Sequence, residues 1–224
     1  MLPSDIAVEV SPGMLFGSRG SRWALKPLGA LVSSLFVGIP VSRHAAKSGE
    51  DSITLPILSV GDLEDERLSH PDRIPRVNLR PLNVDRFRVQ AGDVLVSCRG
   101  TLLKTALVHS ADGVLASSNI ITIRPNSKLL SSQLILAFLR MPAWRDALAA
   151  RSRSATGMVQ LTIKDLQDLP APVPPEHVQR ELTELLDAEE HARRAALLTI
   201  DERRSLVEAV LTKVLFVDSG EDSQ

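Results

Sequence analysis

Leu161 to Gln179 reads LTIKDLQDLPAPVPPEHVQ, and its reading divides the whole chain. Thr162 and Asp165 stand at capping-box spacing, so a short helical turn is expected there, carrying Leu166 and Leu169 inward. Pro170, Pro172, Pro174 and Pro175 follow. Each proline locks its own φ and pushes its predecessor toward extended backbone, so the chain leaves the turn as a stiff, non-helical strap. Pro175 suits the first position of a helix, and Glu176 behind it suits the positive end of the helix dipole. Everything before the strap reads as a compact mixed domain. Everything after it reads as one long amphipathic helix, so the strap is expected to fix how a body is mounted on a rod.

Val178 to Phe216 contains no Gly or Pro. Val178, Leu182, Leu185, Ala192, Ala196, Leu206 and Val210 fall at spacings of three, four or multiples of seven, with Glu189 and Arg203 interrupting a clean heptad seam. A helix of this length is a rod of roughly 58 Å, too long to bury its stripe on one small body. Those seven apolar residues are therefore expected to meet a partner helix as a coiled coil. The competing reading folds the segment back as two shorter helices around Thr199.

The 224 residues suit one domain with an extension. The expected division is an arm over 1–22, rich in Gly and Ser, a domain over 23–175, the helix over 176–216 and a polar tail over 217–224. The Met1 start and the polar end suggest a complete product. A hydrophobic content of 44% supplies a core, yet no apolar run reaches the roughly 18 residues of a membrane span. No basic region followed by an apolar one opens the chain, so no secretory signal is read. A lone Cys98 excludes an internal disulfide framework and fits a reducing, cytoplasmic compartment. Net charge is −1 but unevenly spread: residues 1–175 hold a positive excess of 5 and residues 176–224 a negative excess of 6. A basic body on an acidic helix permits a polyanionic partner without requiring one.

Along the body, structure is expected to begin near Trp23. Gly38 to Ser52 reads as a polar loop with Arg43, His44 and Lys47 at its tip, and Ile53 to Val60 as a buried strand stopped by Gly61 and Asp62. Residues 62–90 are charged and proline-punctuated, hence irregular, and carry Arg67, Arg73, Arg76 and Arg80. Val94, Leu95 and Val96 make a short central strand, with Ser97 to Thr101 at its exposed end. Asp112-Gly113 reads as a hairpin turn between Lys104–Ser110 and Val114–Ser117. A strand from Ile120 to Arg124 stops at Pro125. Ser131 or Ser132 can cap a helix that Pro142 restarts, burying Trp144 and Leu148. Arg151 to Gly157 is a basic loop. Strands first and helices appended give an α+β fold rather than alternating βαβ units.

In order and spacing, these segments resemble the specificity subunit of type I restriction-modification systems. Trp23 with Leu28-Gly29 is similar to the opening of its target recognition domain, and Pro56 to Leu63 to its first core strand and turn. Ala91 to Ser97 followed by Arg99-Gly100, Ser117-Ser118-Asn119, and Thr156-Gly157 with Gln160-Leu161 fit in sequence. The proline strap leading to Gln179 resembles the family's Leu-x-x-Leu-x-x-Pro-x-Pro-Pro segment, departing from it only in Val178 where Glu is frequent. The resemblance covers about residues 23–216. It implies a non-catalytic DNA reader with no cofactor, each recognition domain reading one half of a split site in double-stranded DNA, and long helices that pair antiparallel to set the distance between halves. One domain and one helix resemble a half-length form. A homodimer, or pairing with a second half-subunit, is then implied, with docking to an adenine methyltransferase subunit and a restriction/translocase subunit.

Reading duplex sequence requires long polar side chains at base edges, with phosphate contacts fixing register. Arg99, Arg151 and Arg153 suit guanine, Gln160 and Asn119 suit adenine, and Arg43, His44, Lys47 and Lys104 suit phosphates. Taken singly, each can also be an ordinary solvated side chain, and Asn119 and Gln160 can cap their own backbone. Catalysis finds little support. No nucleophile elbow surrounds Ser97 or Cys98, the five histidines lack metal-ligand spacing, and no P-loop or dinucleotide fingerprint occurs. The other class of function is a protein-interaction module that dimerises through its helix without DNA specificity. Selection from random duplexes separates the two.

Overall fold

The computed structural model describes residues 22–64, 67–68, 71–81, 83–100, 103–110, 113–151 and 159–215. The expected arm, apart from Arg22, and the polar tail lie outside them, as do Arg153, Thr156 and Gly157. The chain divides into two units, Met1–Arg180 and Glu181–Gln224.

The first unit opens with β1 (Leu25–Pro27), a 3-10 turn over Leu28–Ala30, β2 (Val32–Val37), α1 (Val41–His44) and β3 (Ile53–Leu58). A 3-10 turn at Val60–Asp62 leads to β4 (Leu63–Glu64), β5 (Arg67–Leu68) and β6 (Arg76–Leu79). Then come β7 (Val94–Ser97), β8 (Arg99–Gly100), β9 (Thr105–Leu107), β10 (Leu115–Ala116) and β11 (Ile120–Pro125). The helices α2 (Ser132–Arg140) and α3 (Pro142–Arg151) precede β12 (Val159–Gln160), α4 (Ile163–Gln167), β13 (Pro170–Pro172) and α5 (Glu176–Leu215). The α+β class holds.

The main sheet is antiparallel in the order β2-β11-β7-β9. Its two central strands carry Ile120, Ile121, Ile123, Val94, Leu95 and Val96, all fully buried. Continuous apolar strands of this kind need cover on both faces. A second sheet, β10-β3-β6, pairs β10 with β3 in parallel and β3 with β6 antiparallel. The sheets meet where Ile39 N–H donates to Ala116 O at 2.7 Å and Gly38 N–H to Ile120 O at 3.0 Å. A Cβ on Gly38 would lie 2.1 Å from Ala116 O, so only glycine fits this crossing.

Asp112 lies outside the described residues, and the strands on either side of Asp112-Gly113 do not pair with each other. β9 pairs with β7, and β10 leaves to join β3, because Leu115 and Ala116 are fully buried in the second sheet. Long-range burial outweighs the local turn signal. The polar loop after Gly38 is likewise partly ordered, containing α1. Ser131 is the residue that caps α2, its Oγ accepting from Leu134 N–H at 3.3 Å, whereas Ser132 Oγ donates to Gly92 O at 2.7 Å. Trp144 is buried and stacked on Phe138 with ring centroids 5.3 Å apart.

The capping box at Thr162 is present: Asp165 Oδ2 accepts from Thr162 N–H at 2.8 Å and from its hydroxyl at 2.6 Å, and Thr162 Oγ1 accepts from Asp165 N–H at 3.2 Å. Leu166 and Leu169 are fully buried. The strap is a strand as well as a spacer. β13 pairs antiparallel with β1, framed by Leu28 N–H to Leu169 O at 2.8 Å and Val173 N–H to Ala24 O at 3.0 Å. Three of the six paired residues are prolines, tolerated because this ribbon has only two strands and each proline N can face away from the ladder. Gln179 then fastens the first helical turn to the body. Its backbone N–H donates to Pro175 O at 3.0 Å, and its Nε2 donates to Pro174 O at 2.9 Å and Leu129 O at 3.0 Å.

The second unit is the remainder of α5, which is one unbroken helix through Thr199; the two-helix alternative is not what forms.

Candidate nucleic-acid interface

Cys98 is the pivot of the site. Its N–H donates to Asn119 O at 2.8 Å, and its C=O accepts from Leu161 N–H at 2.9 Å. These bonds tie the end of β7 to the start of β11 on one side and to β12 on the other. The next residue of each strand forms the antiparallel pair Arg99 with Gln160, and Gly100 pairs with Val159. Directly opposed residues in an antiparallel ladder project from the same face with Cβ atoms about 5 Å apart. Arg99 and Gln160 are both exposed.

Arg99, Gln160, Asn119 and Lys104, all expected to touch DNA, thus gather at one end of the main sheet. Asn119 is exposed one position before β11. Lys104 is half-buried, and its backbone N–H donates to Ser97 Oγ at 2.8 Å while its C=O accepts from Ser97 N–H at 2.9 Å. Arg151 is exposed at the end of α3 with Nη1 donating to Asp165 O at 3.2 Å, so it is drawn toward α4. Arg153 lies outside the described residues.

The remaining three candidates form a separate group around α1. Arg43 and Lys47 are exposed; Lys47 N–H is held by Glu50 Oε2 at 2.9 Å. His44 is not at a free loop tip. It is half-buried, with Nδ1 3.2 Å from Pro40 O and its ring edge-on to Phe87 at 5.7 Å. Arg80, which sequence spacing could not attach to this group, joins it through the Ala45–Leu79 bridge: its N–H donates to His44 O at 2.8 Å and its guanidinium to Arg43 O.

Burial pushes the Cys98 thiol above its ordinary pKa, opposed by the charge of Arg99, so this cysteine is a protonated packing residue. Its Sγ lies 3.5 Å from Ser118 O. Among the described residues, no group of three or more His, Cys, Asp or Glu is placed to hold a metal ion. No described helix is long and apolar enough to cross a membrane.

A narrow two-stranded ribbon is one of the shapes that the major groove admits. An Arg beside a Gln on its exposed face pairs a guanine-type donor fork with an adenine-type amide. Residues 45–193 match the type I restriction modification DNA specificity domain. The chain belongs to that family.

Solved specificity subunits share the fold of this specificity domain. The HsdS subunit from Thermoanaerobacter tengcongensis is 17% identical with a TM-score of 0.55, over 90% of this chain and 51% of that one. The type I restriction-modification S subunit from M. genitalium is 14% identical with a TM-score of 0.56, over 94% and 50%. A chain from a study of complex assembly and conformational transition of the type I R-M system is 23% identical with a TM-score of 0.56, over 96% and 48%. The specificity domain described here therefore spans about half the length of these structures. No curated protein matches it.

Proposed function

We propose that this chain is a DNA sequence-recognition subunit that directs a type I restriction-modification complex, its single recognition domain reading one half of a bipartite site. The observation that carries the proposal is the exposed Arg99–Gln160 pair on the ribbon of β8 and β12, within a chain of the DNA specificity family. Neighbouring base pairs are about 3.4 Å apart, so two side chains about 5 Å apart can address one step or two. Arg99 would take guanine O6 and N7, and Gln160 or Asn119 adenine N6 and N7. Arg43, Lys47 and Lys104 would hold phosphates and fix register, with Arg80 added to the α1 group. His44, packed on Phe87, would contribute through its position more than its charge.

In this reading the body over 23–175 is the recognition domain and 176–216 the spacer helix. The chain supplies no catalytic group, acts in the cytoplasm, and leaves chemistry to an adenine methyltransferase subunit and a restriction/translocase subunit. Selection from random duplexes, with and without a methyltransferase partner, tests it. Enrichment of a split motif supports the proposal; no enrichment in either arm sinks it. Affinity should also fall steeply with salt.

A further inference from the structure

Strand β7 leaves the main sheet through a corner at Cys98. In a regular antiparallel strand the N–H and C=O of one residue face the same neighbouring strand. At Cys98 they part: the N–H donates to Asn119 O at 2.8 Å, and the C=O accepts from Leu161 N–H at 2.9 Å. The chain therefore turns here, out of the ladder with β11 and into the ribbon with β12. Arg99 is the first residue beyond the corner. Gly100 follows with a φ of +139°, a backbone that residues with side chains rarely adopt.

Arg99 is thus set between two departures from strand geometry, and the rung before them is closed in an unusual way. Opposed residues of a hydrogen-bonded antiparallel pair exchange two bonds, N–H to C=O in each direction. Ser97 opposes Lys104, continuing the pairs Leu95 with Ala106 and Val96 with Thr105. Ser97 N–H donates to Lys104 O at 2.9 Å, as such a rung requires. The return bond ends on a side chain: Lys104 N–H donates to Ser97 Oγ at 2.8 Å. The hydroxyl takes the place of a backbone carbonyl, so the rung closes while the main chain after Ser97 is released to turn.

Two of the residues proposed to contact DNA meet at this rung. Lys104 is held across it, and Arg99 stands two positions along the chain from it. Base contacts specify and phosphate contacts position, so the two kinds must keep a fixed relation for one base pair to be met. We propose that Ser97 is a positioning residue for recognition: its hydroxyl fixes Arg99 relative to Lys104 and so aims the guanidinium at one base pair. Ser97 is 1% exposed, so it acts through Arg99 and not by touching DNA itself. The proposal rests on the reading of Arg99 as a base-edge contact and names the residue that gives this contact its direction.

The test uses the full-length chain in selection from random duplexes. At the base pair that Arg99→Ala relaxes, Ser97→Ala should lower preference about tenfold while leaving the slope of log K against log salt unchanged, since no charge is removed. In the Arg99→Ala background, Ser97→Ala should change that preference less than about twofold, because the side chain it acts through is gone. A merely structural loss would persist in that background. Ser97→Thr keeps the acceptor and should keep the parent's profile. Without DNA, amide hydrogen exchange at Lys104 should be faster in Ser97→Ala than in the parent. Unchanged preference in Ser97→Ala, an equal loss in both backgrounds, a threonine variant that behaves like alanine, or Lys104 exchange as slow as in the parent overturns the proposal and leaves the recognition reading standing. A parent chain that enriches no motif overturns both.

Discussion

Arg124 grips Asp93 with two parallel hydrogen bonds, Nε to Oδ1 at 2.9 Å and Nη2 to Oδ2 at 2.8 Å. Asp93 is 1% exposed and ends the turn that precedes β7; Arg124 is near the end of β11. The same Nη2 donates to Arg88 O at 3.1 Å, the guanidinium lies 5.6 Å from the Phe36 ring centroid, and Gln90 N–H donates to Asp93 Oδ2 at 2.8 Å. The pair therefore joins β2, β7, β11 and the turn before β7 at the end of the sheet away from Cys98.

Replacing Arg124 with Met leaves a buried carboxylate without its counter-charge. Loss of one partner of a buried pair costs about 3–5 kcal/mol, and the lower figure is expected because Arg124 itself is 26% exposed. Lys keeps the charge but cannot span both oxygens, so a smaller loss of about 1–2 kcal/mol is expected. Urea unfolding of both variants checks the ranking. Equal stability of Arg124→Met and the parent would show the pair to be dispensable. The hydrogen bonds to Asp93 raise the Arg124 pKa, so the share of this stability that Arg124's charge supplies is present below the arginine range and is lost as pH rises through it.

Gly38 offers a sharper contrast. A Cβ there meets Ala116 O at 2.1 Å, Ala116 C at 2.4 Å and Ser117 O at 2.4 Å, all backbone atoms that hold the two sheets together. Gly38→Ala is expected to destabilise by about 3 kcal/mol or more. Gly49 has a φ of +86° but nothing within 4 Å of an added Cβ, so Gly49→Ala should cost only about 1–2 kcal/mol of backbone strain. If the two variants melt alike, close approach is not what fixes glycine at 38.

Why some of this was legible in the sequence and some was not follows from range. The Thr162–Asp165 capping box, the Ser131 cap and the helix break at Pro142 are local, and spacing alone reads them. The strand made from the strap is not local: Pro170–Pro172 finds Leu25–Pro27 across most of the domain, and proline-rich sequence gives no sign of a ladder. Asp112-Gly113 sent the local reading to a hairpin because nothing nearby shows that β3 needs Leu115 and Ala116. At the candidate site, Arg99 and Gln160 were each selected as polar side chains beside a recognisable segment. Their opposition on one ribbon depends on Cys98 bonding to both Asn119 and Leu161, which no spacing encodes. Arg80 was missed as a neighbour of Arg43 for the same reason.

Cys98 supplies a pH signature. With its thiol pKa raised by burial, the folded state holds the proton more tightly than the unfolded chain does. Stability is then level below about pH 8.5 and falls as pH rises above the unfolded thiol's value. Cys98→Ala should flatten that alkaline fall. Urea midpoints from pH 7 to 10 give the comparison, and parallel curves for the two proteins would remove the buried thiol as its cause.

The reader and the grip should separate in binding experiments. Arg99→Ala removes a side chain proposed at a base edge, so it should cost about 1–3 kcal/mol on the preferred half-site and relax preference at one position. Gln160→Ala should do the same at the same or the adjacent base pair, because the two residues oppose each other on one ribbon. Lys47→Ala should weaken all duplexes alike and reduce the slope of log K against log salt by about 0.9, the signature of one fewer phosphate neutralised. Selected-site profiles at two salt concentrations measure both quantities at once. If Arg99→Ala lowers affinity uniformly and leaves the profile unchanged, the ribbon is a phosphate clamp, and the bases are read elsewhere on the chain.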